Sequence, residues 1–165
     1  LESNQQKLNI NQLGMEQEQK TLFYQTLAKT HGLILVTGPT GSGKTITLYS
    51  ALNYLNNQNW NILSIEDPVE IKLPGINQTS IQPKIGLDFS SILPTFLRQD
   101  PDIIMIGEIR DSKTAAIAIE AAQTGHLILS SLHTARAVQS ITRLRNLGID
   151  NHDIASSLRL IICQR

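Results

Sequence analysis

The chain has 165 residues, 41% hydrophobic and 17% charged, with 14 basic side chains against 14 acidic ones. That is enough for one domain with a sizeable core, while zero formal net charge and 4% aromatic residues argue against a basic stripe or stacking platform for nucleic acid. The single cysteine, Cys163, and four scattered histidines make neither an internal disulfide nor a zinc quartet, a usage that fits a reducing compartment.

Residues 1–12 are polar and rich in Gln and Asn, and read as a linker or lead-in from a preceding domain. Order is expected from residue 13. Leu22, Phe23, Leu27 and Ala28 stand at near-helical spacing over 15–30, and Gly32 supplies a left-handed stop. An apolar strand over 33–36, a glycine-rich turn and a helix over 43–55 follow. A second strand over 62–65 runs into acidic residues, after which Pro68, Pro74 and Pro83 oppose regular helix. Residues 88–98 read as a helix with Asp88 as N-cap. A third strand covers 103–106, and Asp111 or Ser112 caps an alanine-rich helix that stops at Thr124-Gly125. A fourth strand covers 127–132, and two helices, over 135–147 and 153–164, complete the chain.

Strands buried on both faces and alternating with helices predict an α/β fold, a mainly parallel sheet flanked by helices. The strongest apolar runs are strand-sized, well short of the ~18 residues that span a bilayer. The chain has no initiating Met and stops at Arg165 directly after an apolar segment, so it reads as a piece of a longer protein.

Gly38-Pro39-Thr40-Gly41-Ser42-Gly43-Lys44-Thr45 satisfies the phosphate-loop (Walker A) pattern of P-loop NTPases and sits between a strand and a helix, as the motif requires. By chance the pattern arises in roughly one chain in a few hundred of this length. Its glycines let backbone N–H groups turn inward around an anion at a helix N-terminus. Lys44 is expected to reach the β- and γ-phosphates and Thr45 to offer its hydroxyl to Mg²⁺. The dinucleotide pattern is not completed, and no Asn-Lys-x-Asp segment is present to read guanine, so ATP is the expected nucleotide.

Three further segments fall at strand ends. Glu108, in Gly107-Glu108-Ile109-Arg110-Asp111, follows the third strand on the side where the phosphate loop opens, and can polarise an attacking water. Glu66-Asp67-Pro68-Val69-Glu70 follows the second strand and can hold metal-bound waters. The fourth strand is bounded by His126 and His133, of which His133, at its C-terminal end, can donate to a γ-phosphate.

In this order the segments resemble the secretion ATPases that power type IV pilus assembly and type II secretion. The resemblance covers roughly residues 13–165, and Leu97-Arg98-Gln99-Asp100-Pro101-Asp102 belongs to it. It implies a RecA-like motor domain of a ring-shaped, usually hexameric, cytoplasmic ATPase docked beneath an inner-membrane platform protein, without nucleic acid as partner and without membrane insertion. It further implies that Glu108 is the catalytic acid and that Gly107 is a family habit. It makes Glu66 and His133 members of the aspartate and histidine boxes, and gives Arg98, Arg110 and Arg143 phosphate-clamping or subunit-stitching roles. Residues 74–78 and 84–87 look like the assembly and export branch. Pro94, Ala135 and Ile46 depart from common family residues, Pro94 replacing an arginine. The arginine-donating N-terminal domain and the C-terminal zinc module are expected outside the chain. A type II secretion or DNA-uptake motor is the alternative of the same class, and an ATP-binding scaffold that assembles without hydrolysis is the alternative of another.

Overall fold

The computed structural model describes residues 8–56 and 59–165. A 3₁₀ turn, Ile10–Gln12, precedes α1 (Gln17–Leu27), β1 (Gly32–Thr37), α2 (Lys44–Leu55), β2 (Ile62–Glu66) and β3 (Asn77–Ser80). After a second 3₁₀ turn come α3 (Phe89–Leu97), β4 (Ile103–Ile106), α4 (Ser112–Gln123), β5 (Leu127–Leu132), α5 (Ala137–Asn146), α6 (Asn151–Ser157) and β6 (Leu158–Cys163). The six strands form one sheet, ordered β3-β2-β4-β5-β1-β6, with every pairing parallel.

Alternation along each strand splits the core in two. Leu33, Leu35, Leu63, Ile65, Ile104, Ile106 and Ile128 face α3 and α4. Ile34, Val36, Ile62, Ile103, Met105, Leu127 and Leu129 face α1 and α2. Helices therefore cover both faces, which is why the four central strands are fully buried and, apart from Glu66 at the end of β2, apolar or small throughout.

Local chemistry explains the helix starts. Asp88 accepts from Ser91 N while Ser91 Oγ accepts from Asp88 N, a capping box on α3. These bonds to Ser91 and Ser90 hold the Asp88 carboxyl below its usual pKa. Asp111 accepts from the backbone N–H of Thr114 and so caps α4.

The structure differs from the expected elements in three places. The predicted helix over 153–164 ends at Ser157 and becomes strand β6. A short apolar run satisfies either period, and the free edge of β1 decides, because β6 pairs with it from Leu158 to Cys163 around an irregularity at Arg159. Strand β3 was not anticipated: its residues, Asn77-Gln78-Thr79-Ser80, carry no apolar signal and occupy the sheet edge. In the expected linker, Leu8 and Ile10 are each 2% exposed and join the core beneath α2, where Asn53 Nδ2 donates to Leu8 O at 3.0 Å. Residues 1–7 of that linker lie outside the described residues.

Candidate active site

Strand β1 delivers the phosphate loop to the C-terminal edge of the sheet. Gly38 has φ 148°, and a Cβ there would lie 2.4 Å from the Gln164 carbonyl oxygen and 2.6 Å from Ser42 Oγ. Only glycine lets the loop turn this tightly against the end of β6. Lys44, the first residue of α2, is 9% exposed, and its Nζ donates to Gly38 O at 3.0 Å and Pro39 O at 2.9 Å. Burial lowers its pKa, partly opposed by the charge of Glu108. The ammonium group thus rests on loop carbonyls, which it would exchange for phosphate oxygens.

Because the strands run parallel, their C-terminal ends open onto one crevice of about 430 Å³, lined by Lys44, Thr45, Glu66, Asp67, Glu108 and His133 among others. The Glu108 side chain is 16% exposed. It accepts from Arg110 through one oxygen, and His133 Nε2 lies 3.4 Å from the other. Arg110 also reaches Asp67 at 3.1 Å. Its guanidinium pKa is raised, first by the hydrogen bond to Glu108 and opposed by desolvation. Gly107 lies against β2: a Cβ would stand 3.3 Å from Ile65 O and 3.4 Å from Glu66 Cα. An acidic side chain at 107 would need the neighbouring strand to give way, which is a physical reason for glycine before Glu108.

Glu66 ends β2, is 4% exposed, and is held by three donors. Ser64 Oγ at 2.6 Å and Gln78 Nε2 at 3.0 Å reach Oε1, and the Tyr49 hydroxyl donates to Oε2. Burial first, then the bond to Glu66, push the Tyr49 pKa up to about 12, so the phenol keeps its proton at neutral pH. Neither Tyr49 nor Gln78 was anticipated from sequence. Tyr49 reads as one more core residue of an amphipathic helix, and Gln78 belongs to the unrecognised β3.

The phosphate loop, Glu66, Glu108 and His133 are brought together, and Arg110 joins them through its two carboxylate partners. Arg98 is not among the crevice residues: it is exposed at the C-terminal cap of α3 and donates to Thr95 Oγ1 at 3.2 Å. Arg143 donates to the Arg110 carbonyl at 3.2 Å. His126 sits at the opposite edge, its Nδ1 3.1 Å from Ala121 O. The Asp67-Pro68 peptide bond is cis.

A family model described as type II/IV secretion system protein matches residues 1–165. The chain belongs to that family. It is 58% identical over 158 residues to the type IV pilus assembly ATPase PilB of Acinetobacter baylyi, covering 96% of this chain and 27% of that protein. It is 47% identical over 165 residues to the type II secretion system protein E of Aeromonas hydrophila, covering 100% of this chain and 33% of that protein. The solved structure of the pilus retraction motor PilT with bound ADP superposes with a TM-score of 0.83 at 36% identity, covering 95% of this chain and 48% of that one. The chain therefore spans about a third or less of the length of these two sequence relatives. No helix among the described residues is long and apolar enough to cross a membrane.

Proposed function

We propose that this chain is the ATP-hydrolysing motor domain of a type IV pilus assembly machine, with ATP bound in the crevice beside the phosphate loop. The observation that carries the reading is the convergence of Lys44, Glu66 and Glu108 on one crevice at the C-terminal edge of a parallel sheet. The backbone N–H groups from Thr40 to Thr45 cradle the phosphates, and Lys44 moves from Gly38 O and Pro39 O to the β- and γ-oxygens. Glu108, released from Arg110, orients and deprotonates the attacking water. His133, its Nε2 3.4 Å from Glu108, donates to the γ-phosphate. Arg110 then clamps phosphate charge, and Glu66 fixes a water of the phosphate–cation centre.

Mg²⁺ fits the donors present. Thr45 lines the crevice with Glu66, Asp67 and Glu108 nearby. Among the described residues no group of three or more His, Cys, Asp or Glu is arranged as a metal cage. One hydroxyl plus phosphate oxygens and water is the usual way this cation is held. When bound, it neutralises phosphate charge.

Residues 13–165 act as the motor unit, together with the packed Leu8 and Ile10. The whole protein works as a homo-oligomeric ring, a hexamer, on the cytoplasmic side of an inner-membrane platform protein. In that ring Arg98, which lies away from the chain's own crevice, meets a neighbouring copy. Identity to pilus assembly relatives, 58%, 54% and 50%, runs somewhat above identity to type II secretion relatives, 47%, 50% and 48%, and favours pilus assembly. Secretion is the second reading, supported by the 47% match over the full chain. A Lys44→Ala strain tests both: loss of surface fibres with secretion intact is expected, and loss of secretion alone overturns the pilus reading. ATP-dependent assembly of the purified protein without phosphate release would favour the non-hydrolysing scaffold.

A further inference from the structure

Glu66 carries more protein donors than a solvent-facing catalytic group needs. Its Oε1 is shared by Ser64 and Gln78, while the hydrogen bond to Oε2 comes from Tyr49. Tyr49 is 0% exposed and lies on α2, the helix that begins with Lys44. Its hydroxyl also accepts from Glu70 N at 3.1 Å and Ile71 N at 3.3 Å. One donated and two accepted bonds use the full capacity of a hydroxyl. A single oxygen thus joins three parts of the site: the helix behind the phosphate loop, the buried carboxylate and the acidic loop after β2.

We propose that Tyr49 is a positioning residue for hydrolysis, whose hydroxyl aims the Glu66 carboxylate into the crevice and keeps it in register with the phosphate-loop helix. The proposal rests on the reading of the crevice as an ATP site. Without the hydroxyl, Oε2 loses its protein donor and the carboxylate is free to turn about its remaining contacts on Oε1. The phosphate cradle is untouched, because among the described residues the Tyr49 hydroxyl bonds to Glu66, Glu70 N and Ile71 N rather than to the loop or to Lys44 Nζ. The expected signature is therefore a loss in turnover rather than in nucleotide binding.

A purely structural Tyr49, needed only to satisfy Glu70 N and Ile71 N, would give a different signature. Loosening the loop would impair hydrolysis whether or not residue 66 carries a carboxylate. A double-mutant cycle separates the two roles.

The test compares wild type, Tyr49→Phe, Glu66→Gln, the double variant of these two and Glu108→Gln, using the protein as encoded with its flanking sequence. Steady-state ATP hydrolysis, single-turnover hydrolysis with excess protein, and affinity for a non-hydrolysable ATP analogue are measured. Tyr49→Phe is expected to lower kcat about tenfold through misplacement of Glu66. KM and analogue affinity should stay within about twofold of wild type. In the Glu66→Gln background the same change should lower the single-turnover rate no further. The proposal is overturned by an unchanged kcat, by a loss confined to KM, or by an equal loss in both backgrounds. If Glu66→Gln and Glu108→Gln are impaired and Tyr49→Phe is not, only the role of Tyr49 fails. If all three hydrolyse ATP at the wild-type rate, the reading of the crevice fails and takes this proposal with it.

Discussion

At the N-terminal ends of β2, β4 and β5, the side chains of Asn61, Asp102 and His126 are committed to backbone. Asp102 Oδ2 accepts from Asn61 N at 2.7 Å, and Asn61 Nδ2 donates to Gln99 O and Asp100 O at 2.9 and 3.2 Å. His126 pairs with Ala121 O on the same edge. At the C-terminal ends, Arg110 pairs instead with Glu108 and Asp67, with His133 Nε2 3.4 Å from Glu108, around a crevice rather than a sealed turn. A bond to backbone can be broken only by opening the chain, whereas an ion pair between partly exposed side chains exchanges readily for a charged ligand. One edge of the sheet thus holds the fold, and the other can change partners. Glu66 is the exception on the open edge: it is buried and held by three protein donors, as though it belonged to the closed one.

Substitutions can break this comparison. Asp102→Ala should cost about 1–2 kcal/mol of unfolding free energy, the range for a bond to a charged group whose remaining partner is only half-buried. It should leave nucleotide affinity unchanged. Chemical denaturation and analogue titration on one preparation check both, and a weakened affinity would mean the edges are coupled. Arg110→Ala, at the open edge, should change unfolding free energy by less than about 1 kcal/mol, because the side chain is 56% exposed. A larger loss would show that the charged network supports the fold.

The smallest effect concerns alkaline pH. Burial and the bond to Glu66 push the Tyr49 pKa from the ordinary phenol value of 10.0 up to about 12, so the folded state retains a proton that the unfolded chain gives up first. Its contribution is fully present below pH 10 and declines as pH rises from about 10 to 12. Denaturation curves across that range should converge for wild type and Tyr49→Phe as pH rises. Parallel curves would show that Tyr49 ionises alike in both states.

Much of this arrangement was legible in the sequence, for physical reasons that also mark where reading stops. Strands buried on both faces announce themselves as apolar runs, so 103–106 and 127–132 were placed correctly. A tight glycine turn between strand and helix and helix capping need specific residues at fixed spacing, so the turn before Lys44 and the caps Asp88 and Asp111 were readable too. Strand β3 escaped because a polar edge strand carries no period. The segment at 158–163 was misassigned because six residues cannot distinguish a buried strand from a helix without knowing that β1 has an open side. Leu8 and Ile10 were lost among polar neighbours. Within the site, the separate boxes were visible, but their connections were not: Tyr49, Gln78 and Ser64 meet Glu66 only once three elements are folded together. The arginines were recognised by type, but their distances from the crevice depend on the fold. Arg110 is at the crevice, Arg143 braces the Arg110 backbone, and Arg98 lies elsewhere.

ATP hydrolysis by the protein as encoded, wild type beside Glu108→Gln, is the most direct measurement of whether this crevice is a hydrolytic site. A fall of about 10²-fold or more, the usual loss on removing a general base, is expected while analogue binding persists. Equal rates in the two proteins would contradict the assignment of Glu108 and, with it, the placement of hydrolysis at the C-terminal edge of the sheet.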